Sequence, residues 1–65
     1  MFGAKLKELR IEKKLSQKKL AEELGYTQSM ICFWEKGINE PTESAIRKTA
    51  IYFGVTSDYL LGLEE

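Results

Sequence analysis

The sequence has no histidine and a single cysteine, Cys32, among its 65 residues. One cysteine cannot form an internal disulfide, and without histidine or a second cysteine no ligand set for a metal can be assembled. Cys32 also lacks the histidine base that activates a catalytic thiol. We therefore expect no catalytic residue, no metal, no cofactor and no small-molecule substrate, and we predict that the protein is not an enzyme.

Long apolar segments are missing as well. No run approaches the roughly 18 apolar residues of a membrane-spanning helix, and Met1-Phe2-Gly3 lacks the basic and then apolar layout of a signal peptide. The sequence also shows no strand-like alternation, no internal repeat and no linker. These absences predict a cytoplasmic protein without a membrane partner, folded as a single all-helical domain over residues 1–65.

The charges cancel in total but are unevenly distributed along the chain. Ten basic and ten acidic side chains give a net charge of zero. Residues 1–20 contain seven of the basic and two of the acidic side chains, so the two parts of the chain carry opposite excess charges. A dipolar molecule of this kind can turn a positive face to phosphate groups, although lysines on short helices can equally be solvated.

Apolar residues with helical spacing open the sequence. Phe2, Leu6 and Leu9 form one stripe, and charged residues fill most of the positions between them. The pattern predicts an amphipathic helix over residues 2–14, with two lysines in its last turn, where cations complement the helix dipole.

Two short helices joined by a tight turn follow. Each begins after a residue whose side-chain oxygen can cap a helix and ends at a glycine that can adopt the left-handed conformation. The caps are Ser16 and Thr27, and the glycines are Gly25 and Gly37. The predicted helices cover residues 17–24 and 28–36. Because only two residues separate Gly25, where the first of these helices ends, from the start of the second, the helices must meet at a steep angle, as in a helix-turn-helix.

The same spacing gives each of these helices an inward and an outward face. The inward residues are Leu20, Ala21, Leu24, Ile31 and Trp34, and the outward residues of the second helix are Gln28, Ser29, Cys32 and Phe33. After a loop around Pro41, which has no N–H to donate, Thr42 caps a fourth helix that ends at Gly54. A last helical turn is predicted over residues 58–61.

These residues resemble the pattern of the lambda-repressor-like (Cro and Xre type) helix-turn-helix family. The matching positions are Leu6, Leu9-Arg10, Leu15, Ser16-Gln17, Leu20-Ala21, Leu24-Gly25, Thr27-Gln28-Ser29, Ile31, Trp34-Glu35-Lys36-Gly37, Asn39, Pro41, Ala50, Gly54-Val55 and Leu60-Leu61-Gly62. The resemblance implies a compact all-α bundle of five helices that binds operator DNA as a sequence-specific transcriptional regulator, specifically a repressor. The family usually has glycine where Lys14 stands, which predicts a loose or strained end of the first helix.

Gln28 and Ser29 are the predicted base readers. An α-helix fits the major groove of DNA, where a glutamine amide can bond bidentately to adenine and a serine hydroxyl can donate or accept. The resemblance carries this role to the Gln-Ser pair at the start of the recognition helix. The alternative is that both residues are solvated polar side chains.

Cys32 and Phe33 complete the predicted base contacts one turn further along the helix. Cys32 is small enough to allow a close approach, and Phe33 could contact a thymine methyl group. Phe33 could equally belong to a protein interface or pack over Lys36. A protein-interaction module on the same fold, without specific DNA binding, is therefore the alternative function, and the net charge of zero also favours it.

The predicted phosphate contacts flank the recognition helix. The resemblance implies clamps at helix N-termini and in the loop before the fourth helix, where N–H groups suit anions. The predicted contacts are Gln17, Lys18, Lys36, Asn39 and Thr42. Glu40 and Glu43 occupy this region where basic residues would help, so the affinity for the DNA backbone should be modest and strongly dependent on salt. Lys5 and Lys13 are further candidates for supplying positive charge.

The resemblance also implies a structural salt bridge between Arg10 and Glu35. This pair would tie the first helix to the recognition helix, and neither residue is expected to read bases.

A homodimer on a palindromic operator is expected as well. One recognition helix reads only about four base pairs, so two half-sites about one helical turn apart are needed to specify a site in a genome. Some surface must then be self-complementary under a two-fold axis. The residues predicted for this dimer surface are Ile51, Tyr52, Tyr59 and Leu60, although Tyr52 or Leu60 alone could belong to the core.

Overall fold

Five helices account for the regular structure of the computed structural model, which describes residues 1–64. They are α1 (Phe2–Glu12), α2 (Gln17–Leu24), α3 (Gln28–Lys36), α4 (Glu43–Phe53) and α5 (Ser57–Leu60). None of these helices has the length and apolar character needed to cross a membrane. No strand occurs within residues 1–64, and the predicted all-α architecture of five helices is confirmed.

The capping residues fix where four of the helices begin. Each cap hydroxyl accepts a hydrogen bond from the backbone N–H three residues further on, which satisfies one of the donors left unpaired at a helix start. The caps are Ser16, Thr27, Thr42 and Thr56, with distances of 3.0 to 3.2 Å. The predicted bounds of α2 and α3 are therefore confirmed, whereas α5 begins one residue earlier than predicted.

The first helix ends earlier than predicted, at Glu12, because the backbone leaves the helix at Lys14. Lys14 has a φ of 58° and is the one residue other than glycine with a positive φ among residues 1–64. A side chain in this left-handed conformation costs roughly 1–2 kcal/mol relative to glycine, because Cβ crowds the following carbonyl oxygen. The predicted strain at this helix end is present.

The turn between α2 and α3 is tight because Gly25 adopts a φ of 80°. The N–H of the next residue, Tyr26, then donates to the carbonyl of Ala21 at 2.9 Å, which closes the end of α2. Thr27 caps α3 directly afterwards, so the two helices are joined without any free segment.

The core lies where the five helices meet. The largest side chains that are completely buried come from all five helices and are Leu6, Leu20, Ile31, Thr49 and Leu60. Trp34 of α3 packs edge-to-face against two other aromatic rings, with centroid distances of 5.9 Å to Phe2 and 5.1 Å to Tyr26. Edge-to-face geometry is favourable for aromatic pairs. The inward faces predicted for α2 and α3 are confirmed.

The prediction for Leu60 as a dimer contact is wrong. Its exposed fraction is 0%, because α5 packs against both α1 and α4 and turns this side chain into the core. The apolar spacing of a single helical turn was too short to show which side faces inward.

Candidate nucleic-acid interface

The outward face of α3 presents the residues predicted to read bases. This helix packs against α1 and α2 on one side and leaves its other side uncovered. Gln28, Ser29, Phe33 and Lys36 are exposed there, and Cys32 is half-buried. Their spacing of four residues along the helix places them in two adjacent rows. The folded chain therefore brings all four predicted base-contacting residues onto one face.

Gln28 and Ser29 occupy the exposed first turn of α3. Within residues 1–64 neither side chain forms a hydrogen bond, so the amide and the hydroxyl are available to an outside partner. The amide of Gln28 offers a donor and an acceptor side by side, which is the arrangement that adenine presents in the major groove.

Apolar residues widen this face. Phe33 is 40% exposed and Met30 is 38% exposed. Met30 was not predicted as part of the face, although it lies one residue before the buried Ile31, a position just off the inward stripe. Thymine methyl groups and protein partners are the two kinds of surface that such side chains can contact.

Glu35 joins three helices through its carboxylate. Arg10 donates from Nε to Oε2 at 2.6 Å and from Nη2 to Oε1 at 3.0 Å, and Gln17 donates from Nε2 to Oε1 at 3.0 Å. Arg10 also donates from Nη1 to the carbonyl of Leu15 at 2.9 Å. The predicted ion pair is therefore present, and it fixes the C-terminal half of α3 to both α1 and α2.

The ion pair is shielded from solvent. The side chains of Arg10 and Glu35 are only 13% and 4% exposed. The hydrogen bonds that Arg10 donates to Glu35 raise the pKa of the guanidinium above its ordinary value, and they outweigh the opposing effect of burial. Arg10 thus remains charged and directed at Glu35, which leaves it no role as a base reader.

The network also orients Gln17, which the sequence assigns to phosphate. One of its two amide N–H groups is directed at Glu35, so the other remains able to donate outward. Gln17 is half-buried at the first position of α2, beside the exposed Lys18. Its part in this network was not predicted, because residues 17 and 35 show no shared pattern in the sequence.

The four lysines considered for contact with DNA divide into two groups. Lys18 and Lys36 are exposed and have no ion-pair partner within the described residues. The ammonium of Lys5 lies 4.8 Å from the ring centroid of Tyr59, and that of Lys13 lies 5.5 Å from the ring centroid of Tyr52. Such cation–π contacts direct both groups toward α4 and α5. The suggestion that Lys5 and Lys13 supply charge to the DNA face is therefore not supported.

The start of α4 carries the remaining predicted phosphate contacts. Asn39 and Thr42 are both exposed, and the hydroxyl of Thr42 accepts from the N–H of Ala45. Glu43, in the first turn of the helix, pairs with Arg47 one turn later. This pairing offsets one of the two acidic charges in the region, while Glu40 has no ion-pair partner within residues 1–64.

The residues predicted for a dimer surface are less uniform than expected. Ile51 is 79% exposed, whereas Tyr52 and Tyr59 are half-buried beneath lysine side chains. The hydroxyl of Tyr52 donates to Glu23 at 3.4 Å. Burial, the negative charge of Glu23 and this hydrogen bond raise the pKa of Tyr52 above its ordinary value.

Two surface grooves are lined partly by apolar side chains. The larger, of about 410 Å³, lies beyond the C-terminal end of α3 and is lined in part by Phe2, Pro41, Ile46 and Leu61. Its lining residue Leu61 is 40% exposed. Ile38, which lies between the lining residues Gly37 and Asn39 in the sequence, is 63% exposed. The smaller groove, of about 270 Å³, lies between the C-terminal ends of α2 and α4.

Comparison with known proteins finds matches over most of the chain. A family model described as helix-turn-helix matches residues 6–60. The chain is similar to the HTH-type transcriptional activator BcrR of Enterococcus faecalis, with 39% identity over 98% of this chain and 31% of that protein. It is also similar to the cryptic phage CTXphi transcriptional repressor RstR of Vibrio cholerae, with 33% identity over 85% of this chain and 50% of that protein.

A third relative and a solved structure extend the comparison. The chain is 38% identical to the SPbeta prophage-derived HTH-type transcriptional regulator YonR of Bacillus subtilis, over 94% of this chain and 56% of that protein. The chain thus spans from about a third to a little over half of these curated relatives. The solution structure of the SOS-response transcriptional repressor LexA from Eubacterium rectale superposes with a TM-score of 0.86, at 23% identity, over 98% of this chain and 66% of that chain.

Proposed function

Because the chain belongs to the helix-turn-helix family, we propose that it is a transcriptional regulator that binds double-stranded DNA at a specific operator sequence. The observation that carries this proposal is the outward face of α3, where Gln28 and Ser29 have no hydrogen-bond partner within the described residues. With its side chains an α-helix is about 10–12 Å in diameter, which fits a major groove about 12 Å wide. Regulators of this kind bind DNA and are not expected to catalyse a reaction.

The recognition helix needs a rigid support, because base contacts require the side chains to be held in register. Arg10 and Gln17 provide this support by holding Glu35 near the end of α3. Phosphates on one side of the groove are proposed to contact Lys18 and the outward N–H of Gln17. Lys36, Asn39 and the N-terminus of α4 at Thr42 serve the other side, where N–H groups attract anions.

We further propose a homodimer on a palindromic operator. Half-sites read on one side of DNA lie about 34–36 Å apart, whereas the Cα positions of one copy span 28 Å in the longest direction. Two adjacent copies therefore meet only through a limited set of side chains. This geometry predicts a dimer that is weak in solution and strengthened by DNA.

The larger groove is the surface best suited to this contact. It lies beside the end of α3, and the exposed Leu61 is among its lining residues. The loop that lines its other side also contains the exposed Ile38. The alternative surface taken from the sequence loses Leu60 to the core, and lysines partly cover its two tyrosines. We therefore place the two-fold axis at the C-terminal end of α3, so that Gln28 reads a base pair in the outer part of each half-site.

Selection of binding sites from random DNA tests the proposed function. The expected result is a palindrome with two half-sites about one helical turn apart. Binding to the selected operator should fall linearly with salt on logarithmic scales, because phosphate neutralisation releases counterions. An unenriched pool, together with no binding to bulk DNA at low salt, would contradict the proposal and favour the protein-interaction module suggested by exposed Phe33.

We propose repression as the direction of regulation, through a dimer that occupies the operator and excludes other proteins. The relatives include a protein named an activator and a protein named a repressor. A reporter placed behind the selected operator distinguishes the two, since repression lowers expression when the chain is supplied and activation raises it.

A further inference from the structure

Met30 and Phe33 form an apolar strip on the outward side of α3. They are three residues apart, so they are neighbours on the helix surface. Both are exposed, and neither belongs to the core or to the partly buried layer packed around it. The apolar surface of this strip is therefore left open to an outside partner.

The ring of Phe33 is not engaged within the described part of the chain. The aromatic pairs found in residues 1–64 do not include it, and no lysine ammonium in this range stands over its face. The alternative in which the ring packs against the ammonium of Lys36 is therefore not supported. Phe33 and Met30 remain available to the same partner.

The strip continues the surface that carries the polar base readers. Ser29 directly precedes Met30 and lies one turn before Phe33. In the major groove the donors and acceptors of the base edges are joined by one apolar feature, the 5-methyl group of thymine. A helix whose Gln28 and Ser29 reach base edges also brings this strip to pyrimidine 5-methyl groups.

We propose that Met30 and Phe33 together recognise the 5-methyl group of a pyrimidine inside each half-site. The inference rests on the proposed operator binding and adds Met30 as a residue that determines specificity. The two residues are separated by about 4.5 Å along the helix axis, close to the spacing of about 3.4 Å between successive nucleotides of one strand. The strip therefore covers one pyrimidine or two adjacent ones.

The chemistry of the strip makes it a reader of the methyl group and not of the whole base. A thioether is only a weak acceptor and a phenyl ring has no polar atom, so neither distinguishes the donors and acceptors of a base edge. Thymine and 5-methylcytosine present the same methyl group at the same place in the major groove. Binding should therefore respond to cytosine 5-methylation wherever a cytosine occupies the contacted position.

The test uses the operator selected from random DNA, with each thymine of one half-site replaced in turn by deoxyuridine. Deoxyuridine lacks only the methyl group and keeps every hydrogen-bonding group of thymidine. Wild type should bind about fourfold more weakly when the contacted thymine is replaced, which is the effect of one buried methyl-sized group. Two further duplexes carry cytosine or 5-methylcytosine at that position, paired with guanine, and the methylated one should bind about fourfold more tightly.

Matched variants assign the effect to the strip. Met30→Leu keeps an apolar side chain and should retain the methyl dependence, whereas Met30→Gln, with similar length and helix propensity but a polar end, should reduce it. The double variant Met30→Gln/Phe33→Ala should bind the thymine and deoxyuridine duplexes equally. The control is Ile11→Ala, which alters an exposed isoleucine of α1 and should keep the fourfold ratio. Because each variant is compared with itself on two duplexes, a change in stability does not alter the ratio.

Failure of this inference differs from failure of the proposed function. If wild type binds the selected operator but no deoxyuridine replacement weakens binding, or 5-methylcytosine binds no better than cytosine, the methyl contact is refuted and the regulator remains. A selected half-site without thymine refutes it in the same way. A methyl dependence that persists in the double variant overturns the assignment to Met30 and Phe33. If wild type binds no selected sequence at all, both the regulator and the contact are rejected.

Discussion

Gly3 lies so close to α3 that a Cβ atom built at this position would stand 2.1 Å from the carbonyl oxygen of Trp34. No pair of such atoms can approach to this distance, so only glycine allows α1 to pack at its present position. The contact is between backbones, which cannot move aside as a flexible side chain would. Together with the Phe2–Trp34 ring pair and the Arg10–Glu35 ion pair, it fixes α1 against the recognition helix.

Gly3→Ala is therefore expected to destabilise the fold by about 3 kcal/mol, the upper part of the range for overpacked sites. Intrinsic helix propensity alone predicts the opposite, because alanine favours a helix by about 1 kcal/mol over glycine. Denaturant unfolding measures the change. Ala4→Gly, at an exposed position of the same helix, is the control and should cost only about 1 kcal/mol. Equal stability of Gly3→Ala and wild type would contradict the packing of α1 on α3.

Lys14 gives the opposite kind of prediction, since glycine is missing where the backbone needs it. Its φ of 58° costs roughly 1–2 kcal/mol for a residue with a Cβ atom. Glycine avoids this cost, but its greater freedom in the unfolded chain lowers the free energy of unfolding by about 0.4–1 kcal/mol. Lys14→Gly should therefore stabilise the protein by about 0.5–1 kcal/mol and raise the melting temperature by several degrees. Lys13→Gly, at a φ of −86°, gains no such relief and should lower the melting temperature.

How much of this fold could be predicted depended on how local each signal was. Ser16, Gly25 and Thr27 act on the backbone within three or four residues, so the sequence located α2 and α3 correctly. The packing of Gly3 on Trp34 joins residues far apart in the chain, and neither the composition nor the spacing of residues indicates this contact. The outward face of α3 followed from spacing.

The parts of the site that were missed also depend on tertiary packing. The hydrogen bond from Gln17 to Glu35 joins residues of two different helices and forms only when α2 packs against α3. The direction of Lys13 is set by the ring of Tyr52 on another helix, so its removal from the candidate phosphate contacts required coordinates. Leu60 lies in a helix of four residues, which is too short for apolar periodicity to distinguish a core position from a surface position.

Arg10→Met should lower stability by about 3 kcal/mol without changing the selected operator. Removal of the guanidinium leaves the carboxylate of Glu35, which is 4% exposed, without its charged partner, and breaking a buried pair is costly. The measurements are thermal unfolding and site selection from random DNA. An altered base preference at an unchanged melting temperature would show that Arg10 reaches the groove and that its structural role is misassigned.

The raised pKa of Tyr52 predicts that the folded protein loses stability at high pH. Its pKa is raised in the folded protein by burial and by Glu23, so the folded state holds the phenol proton more tightly than the unfolded state does. The resulting stabilisation is complete below the unfolded pKa of about 10 and is lost as pH rises through the higher folded pKa. Tyr52→Phe should therefore lose less stability than wild type between about pH 9 and 11. Parallel curves for Tyr52→Phe and wild type would contradict this.

Gln28→Ala and Lys18→Ala should separate base reading from phosphate binding. Loss of the Gln28 amide is expected to cost roughly 1–3 kcal/mol on the selected operator and to relax the preference at one outer base pair of each half-site. Loss of the Lys18 ammonium should weaken specific and random DNA alike and reduce the slope of log affinity against log salt by about one per copy. Titrations of each variant against operator and random DNA across a salt series measure both effects. A uniform loss for Gln28→Ala would assign this residue to phosphate, and an unchanged salt slope for Lys18→Ala would remove it from the interface. Relaxation at an inner base pair would instead reverse the direction of α3 and place the two-fold axis beside Ile51.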